Sequence, residues 1–240
     1  MDFNFLIHDI KNFKNFLKIL KNQVDDLHFI VEENALILKS NDLVDNIYFV
    51  LKIDNSFFSS FKRSVDLFFC ISLKSLYSCL KTCKKVVRLK IETEDFINNI
   101  PAYLQVIVDD EYYYRILLNE KVKYTDIIKP NIPSMIIMKS SVLYKTLQNL
   151  SFINNSINFT VKNSVFQIKS FSDKINYKST QIVESITDHD INKVFTGYQL
   201  NTIIKFLSIS SHCILSLHDE DLNEFEIIIN EFLTITILLL

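Results

Sequence analysis

Apolar positions along this chain switch repeatedly between a period of two and a period near 3.6, and the switches predict its elements. Phe3, Phe5 and Ile7 alternate as a short half-buried strand. Ile10, Phe13, Leu17, Leu20 and Val24 then recur at helical spacing, predicting a helix over residues 8–23 with one buried face. Short β runs come next at Leu27–Val31, Ala35–Ser40, Ile47–Ile53, Phe57–Phe61 and Asp66–Ile71, with Glu32-Glu33-Asn34 as a hairpin-length turn. The spacing of Leu73, Leu76, Leu80 and Cys83 predicts a second helix over Leu73–Lys84, and strands resume at Val86–Glu92, Tyr103–Val108 and Tyr112–Leu118.

Asn119–Pro133 is polar, carries Pro130 and Pro133, and reads as a connector between residues 1–118 and 134–240. The second half repeats the pattern of the first. A strand at Met135–Met138 leads into a helix at Ser140–Leu150, with Val142, Leu143, Leu147 and Leu150 expected inward and Lys145 and Gln148 outward. Strands at Ile157–Val161, Val165–Ser170, Ile175–Ile182 and Lys193–Thr196 precede a fourth helix at Tyr198–Leu207. That helix buries Leu200, Ile203, Ile204 and Leu207 and leaves Lys205 exposed. Cys213–Leu217, Glu224–Ile229 and Phe232–Leu238 complete the chain as strands. The helices of the two halves are offset by about 130 and 125 residues, the mark of an internal duplication. The predicted class is α+β: two similar halves, each an antiparallel sheet with two helices on one face.

Charge sharpens this picture. On the first helix Lys11, Lys14, Lys18 and Lys21 form a stripe beside the apolar face, and on the second Lys74, Lys81, Lys84 and Lys85 do the same. Residues 8–23, 72–85, 139–152 and 197–211 carry +3, +4, +2 and +1, a total of +10 against a net charge of −2, so the remainder carries −12. A positive helical layer of flexible lysines, without a cluster of base-reading side chains, suits a phosphate backbone bound without sequence preference.

Candidate chemistry is sparse. A single glycine, Gly197, leaves no phosphate-cradling loop, dinucleotide fingerprint or nucleophile elbow. The histidines are scattered, and Cys70, Cys79, Cys83 and Cys213 lack Cys-x-x-Cys spacing, so they read as reduced core thiols and imply no metal or other cofactor. Asp109-Asp110-Glu111 and Asp219-Glu220-Asp221 read as hairpin turns, and no catalytic constellation emerges. No apolar run approaches the roughly 20 residues of a membrane span, and no secretory leader is expected.

Several stretches resemble proliferating cell nuclear antigen, the eukaryotic and archaeal DNA sliding clamp. Phe16-Leu17-Lys18-Ile19-Leu20-Lys21 is similar to that family's first helix and Leu73–Cys83 to its second. Asn149-Leu150-Ser151-Phe152-Ile153 is similar to the end of its third, and Leu200-Asn201 through Lys205 to Ser210-Ser211 to its fourth. The resemblance implies a ring of three subunits encircling duplex DNA, loaded by a clamp loader and tethering polymerases and other clamp-binding proteins, in the nucleus or at a viral replication site. It assigns Lys14, Lys21, Lys81, Lys145 and Lys205 to the DNA, to which the helical pattern adds Lys11, Lys18, Lys74, Lys84 and Lys85. Gln148, Phe152 and Tyr198 stand where the family usually has basic or polar channel residues. For partner proteins it implies a pocket around Asn41, Leu43, Tyr124, Ile127, Ile128 and Pro130, with an apolar C-terminal end at Leu238, Leu239 and Leu240; alternatively, Leu238 simply ends the last strand. Between subunits it implies pairing of Tyr112–Leu118 with Ile175–Ile182, placing Tyr112, Tyr114 and Ile116 against Ile175 and Tyr177. Two other roles are compatible with the same residues: one subunit of a heterotrimeric checkpoint-type clamp, or a clamp-fold transcription or scaffold factor that no longer encircles DNA.

Overall fold

The structure is a computed structural model that describes residues 3–42, 46–63, 67–97, 100–119, 134–150, 156–162, 165–171, 176–182, 184–186, 191–218 and 222–239. In chain order, β1 (Phe3–Ile7), α1 (Ile10–Leu20), β2 (Asp26–Val31), β3 (Ala35–Asp42), β4 (Ile47–Asp54), β5 (Ser60–Arg63) and β6 (Leu67–Ser72) lead to α2 (Leu73–Leu80). Next come β7 (Val87–Ile91), a miniature hairpin of β8 (Phe96–Ile97) and β9 (Ile100–Pro101), β10 (Tyr103–Val108) and β11 (Tyr112–Leu117). The later part runs through β12 (Ser134–Lys139), α3 (Ser140–Leu150), β13 (Ser156–Lys162), β14 (Val165–Phe171), β15 (Asn176–Ile182), β16 (Glu184–Ile186) and β17 (Ile191–Thr196). It ends with α4 (Gly197–Leu207), β18 (His212–Leu217), β19 (Asn223–Asn230) and β20 (Leu233–Leu239).

Two compact units emerge, Met1–Asn41 with Val50–Asp126, and Asp42–Phe49 with Ile127–Leu240. In the first, one sheet has the order β11-β10-β7-β1-β5 and another β4-β3-β2-β6. In the second, the orders are β20-β19-β18-β12-β16 and β15-β14-β13-β17. Setting aside the β8–β9 hairpin, these are the same arrangement written twice, with β1 corresponding to β12, β4 to β15, β10 to β19 and β11 to β20. The opening residues of β4, Ile47–Phe49, group with the second unit. Paired strands run antiparallel, so the class is α+β, with antiparallel sheets and four helices among the described residues.

Each unit buries phenylalanines between its sheets. In the first, Phe3 of β1 meets Phe69 of β6 edge-on at 5.7 Å, and Phe69 stacks on Phe29 at 4.8 Å. In the second, Phe159 and Phe195 meet Phe225 of β19. The helices lie over these sheets: α1 packs on α2, α2 on β6, β10 and β11, and α3 and α4 pack on each other and on β12, β17, β18 and β19.

Local chemistry sets the helix limits. Asp9 caps α1, accepting from the Asn12 amide, and the chain leaves the helix after Leu20, where Gln23 and Val24 donate back to the Leu20 carbonyl. The helix is therefore shorter than residues 8–23. Thr196 and Gln199 form a reciprocal capping box on α4, with N–H···O distances of 3.2 and 3.0 Å. Thr196→Ala is expected to cost about 1 kcal/mol, seen as a lower urea midpoint with an unchanged far-ultraviolet spectrum.

Three expectations need correction. Phe57–Phe61 is not one strand: Asp54 accepts from the Ser56 amide at 2.9 Å and caps a 3-10 turn at Asn55–Phe57 before β5 begins. Val142 is 36% exposed, and Ile204 is only half-buried. Thr146 takes an inward place on α3 because its hydroxyl donates to the Val142 carbonyl at 3.1 Å, and Thr202 and Phe206 fill the inward positions of α4. All four cysteines are free, with Cys70, Cys83 and Cys213 buried; burial pushes the thiols of Cys70 and Cys83 up to about 11.

Candidate nucleic-acid interface

Most lysines of the helical segments lie in the first unit, and they divide by what their ammonium groups touch. Lys11 and Lys18 on α1, and Lys81, Lys84 and Lys85 at the end of α2, are exposed. Lys14 is different: its Nζ donates to the carbonyls of Lys81 and Cys83, both at 2.9 Å, and so ties α1 to the turn that ends α2. Carbonyls at a helix C-terminus have no partner within the helix and carry partial negative charge, which is where a cation binds well. Lys21 sits 4.1 Å above the ring of Tyr77 on α2. Lys74 pairs with Asp25 at 2.6 Å, an exposed contact worth at most about 1 kcal/mol.

The turn bearing Lys81, Lys84 and Lys85 is held from its other side by the β10–β11 hairpin. Asp109 accepts from the amides of Lys84 at 3.0 Å, Lys85 at 2.8 Å and Val86 at 3.0 Å, and from the Cys83 thiol at 3.4 Å. Asp109 and Asp110 both have left-handed φ, 55° and 56°, a region that Asp tolerates because its short polar side chain bonds locally. Backbone donation from Val86, Lys84 and Lys85 holds the Asp109 carboxyl far below the ordinary carboxylate range. A depressed carboxylate stabilises the fold above its unfolded value near 3.8 and loses that contribution only as pH falls through the folded value. The Asp109-Asp110-Glu111 stretch is thus a hairpin turn, as its composition suggested, but its first carboxylate also organises a neighbouring loop.

The second unit is thinner in charge. Lys145 on α3 and Lys205 on α4 are exposed, as is Gln148. Tyr198 spends its hydroxyl on the Asp42 carboxylate at 3.0 Å. Phe152 lies outside the described residues.

The other candidate positions are placed unevenly. Tyr112 and Tyr114 are exposed on β11, an edge strand, whereas Ile116, opposite Leu104 in the ladder, is only 8% exposed and packs into its own unit. Tyr177 is half-buried on β15, also an edge strand, and Ile175 lies outside the described residues. Asn41 is half-buried near the end of β3. Leu43, Tyr124, Ile127, Ile128, Pro130 and Leu240 lie outside the described residues. Leu238 and Leu239 correct an expectation: they are 4% and 1% exposed within β20, paired with Glu224 and Asn223, so they do not form a displayed apolar end. Leu239 instead lines a polar cavity of about 490 Å³ with Asn192, Lys193, Phe195, Gln199 and Asn223. Sequence reasoning missed this cavity because its walls come from β17, α4, β19 and β20.

On the outer side of β11, Arg115 reaches the fully buried Asp95 carboxylate with Nε at 3.0 Å and Nη2 at 2.9 Å. Gln105 Nε2 at 2.6 Å and the Glu92 amide at 3.0 Å complete the bonds to that buried charge. This cluster fixes the base of the edge strand and is structural.

Among the described residues there is no group of three or more His, Cys, Asp or Glu side chains able to hold a metal ion, and no helix long and apolar enough to cross a membrane. No protein-family model matches the chain, and a search of curated proteins returned no match.

Proposed function

We propose that this chain belongs to the ring-forming proteins that surround duplex DNA and hold it by its phosphates. More narrowly, it acts as a sliding clamp resembling proliferating cell nuclear antigen: a non-enzymatic processivity factor working in the nucleus or at a viral replication site. A clamp loader would open it, and polymerases and other clamp-binding proteins would be its passengers.

The observation that carries this reading is the twice-written strand order with lysine-bearing helices in each copy. The open edges also suggest how copies would join. β11 and β15 each end their own sheet. Pairing β11 of one copy with β15 of the next would remove both open edges. Such a head-to-tail contact closes into a ring when the rotation permits.

The test combines mass and activity. Light scattering of the purified protein should give three times the 28.2 kDa chain, and with its clamp loader the protein should raise polymerase processivity on primed circular DNA. A second reading, one subunit of a heterotrimeric checkpoint-type clamp, draws on the uneven charge, +7 on the helical segments of the first half against +3 on those of the second. A monomer that assembles only with two other chains favours that reading. A monomer that neither assembles nor stimulates polymerase overturns both.

A further inference from the structure

We infer that Asp109 and Lys14 are positioning residues: one carboxylate and one ammonium that clamp the Lys81–Lys85 turn so that its lysines meet phosphate in a fixed arrangement. This rests on the duplex-binding reading above. The two groups hold opposite poles of the same six-residue stretch. Lys14 takes the carbonyls of Lys81 and Cys83, and Asp109 takes the consecutive amides of Lys84, Lys85 and Val86. Successive amides converging on one anion form a backbone nest. Here the anion is the protein's own, so the nest is filled and the lysine side chains are left to face outward. The Asp109 amide also donates to the Val86 carbonyl at 2.8 Å, locking hairpin and turn together. Ordering flexible lysines before binding lowers the entropy lost when they meet DNA.

Simple electrostatics points the other way. Removing a negative charge from beside a basic patch should strengthen phosphate binding, but if Asp109 positions the turn, removing its charge should weaken it. Asn adopts left-handed φ readily, so Asp109→Asn keeps the hairpin while placing an amide donor against the turn's own donors. Asp110→Asn is the matched control: same charge change, same left-handed φ of 56°, adjacent position. Binding of the full chain to a linear DNA duplex would be followed by fluorescence anisotropy across a salt series, with amide hydrogen exchange measured at residues 84–86. Asp109→Asn is expected to bind roughly two- to tenfold more weakly than the parent and to exchange faster at those amides, while Asp110→Asn binds as well as the parent or better. Lys14→Met should also speed exchange at residues 84–86, which loss of a lysine that touched only DNA would not do. Equal or tighter binding by Asp109→Asn, or unchanged exchange in both Asp109→Asn and Lys14→Met, overturns the inference. A parent protein that ignores the duplex overturns the proposed function instead, and the exchange measurements then decide separately whether the two residues hold the turn.

Discussion

If copies join through β11 as proposed, Tyr113→Pro is expected to leave a folded single chain of 28.2 kDa in place of the assembly. The choice of residue comes from the hydrogen-bond parity of the β10–β11 ladder. The Leu118 amide donates to the Ala102 carbonyl at 2.8 Å, which makes these two a closely bonded pair, and bonded and open pairs alternate along an antiparallel ladder. By the observed register, Leu104 with Ile116, Val106 with Tyr114 and Val108 with Tyr112 are bonded inside the sheet. The amides of Tyr113, Arg115 and Leu117 therefore point off the open edge, where a β15 strand from another copy would receive them. Proline at position 113 removes one of those outward donors and no inward one, a placement that edge strands tolerate. Tyr113 is 72% exposed, so little packing is lost within the chain. Tyr114→Pro would instead break the bond to Val106 and cost about 1–3 kcal/mol, mixing unfolding with disassembly. An assembled mass that persists in a well-folded Tyr113→Pro variant would reject β11 as the joining edge.

The second large effect concerns DNA. Reversing Lys11, Lys18 and Lys81 together to Glu should weaken duplex binding on the order of a hundredfold at low salt and flatten the dependence of log K on log salt by roughly 2–3. These three are exposed on α1 and at the end of α2, so folding should change by less than about 0.5 kcal/mol per site. Lys14 and Lys21 are poor choices for this test despite sharing the stripe. One is bonded to carbonyls and the other lies over an aromatic ring, so reversing them would disturb the α1–α2 contact as well as the charge. Reversing Lys145 and Lys205 in the second unit should produce the smaller loss. Anisotropy titrations at several salt concentrations check both sets, and equal losses from the two sets would contradict a DNA grip concentrated in the first unit.

Periodicity was a good guide wherever a segment's fate depends on its own faces. The α3 helix spans Ser140–Leu150 as its spacing predicts, and Leu73, Leu76 and Leu80 are fully buried on α2. These positions are legible because burying one stripe of a helix, or one side of a strand, sets the period directly. The offset between the halves was equally plain, and the repeated strand order accords with it. Where a short polar side chain captured a nearby amide, the local pattern misled. Asp54 caps the Asn55–Phe57 turn and breaks what reads as a continuous apolar strand.

Only the tertiary structure separated lysines that look alike. On the helical stripe Lys11, Lys14, Lys18 and Lys21 are interchangeable, yet Lys14 finds its carbonyl partners 67 and 69 residues away. Asp109 reads as one more turn acid until β10 returns it to the turn after α2, where it accepts from three successive amides. Leu238 and Leu239 look the same in sequence whether they end a buried strand or form an exposed patch, and the pairing of β20 with β19 sets them inside. The chain's own pattern therefore determined which residues form helices and strands and where the positive charge collects. Which lysines remain exposed to meet a ligand, and which are consumed holding the fold, depended on groups distant in sequence meeting in space, and periodicity carries no record of that.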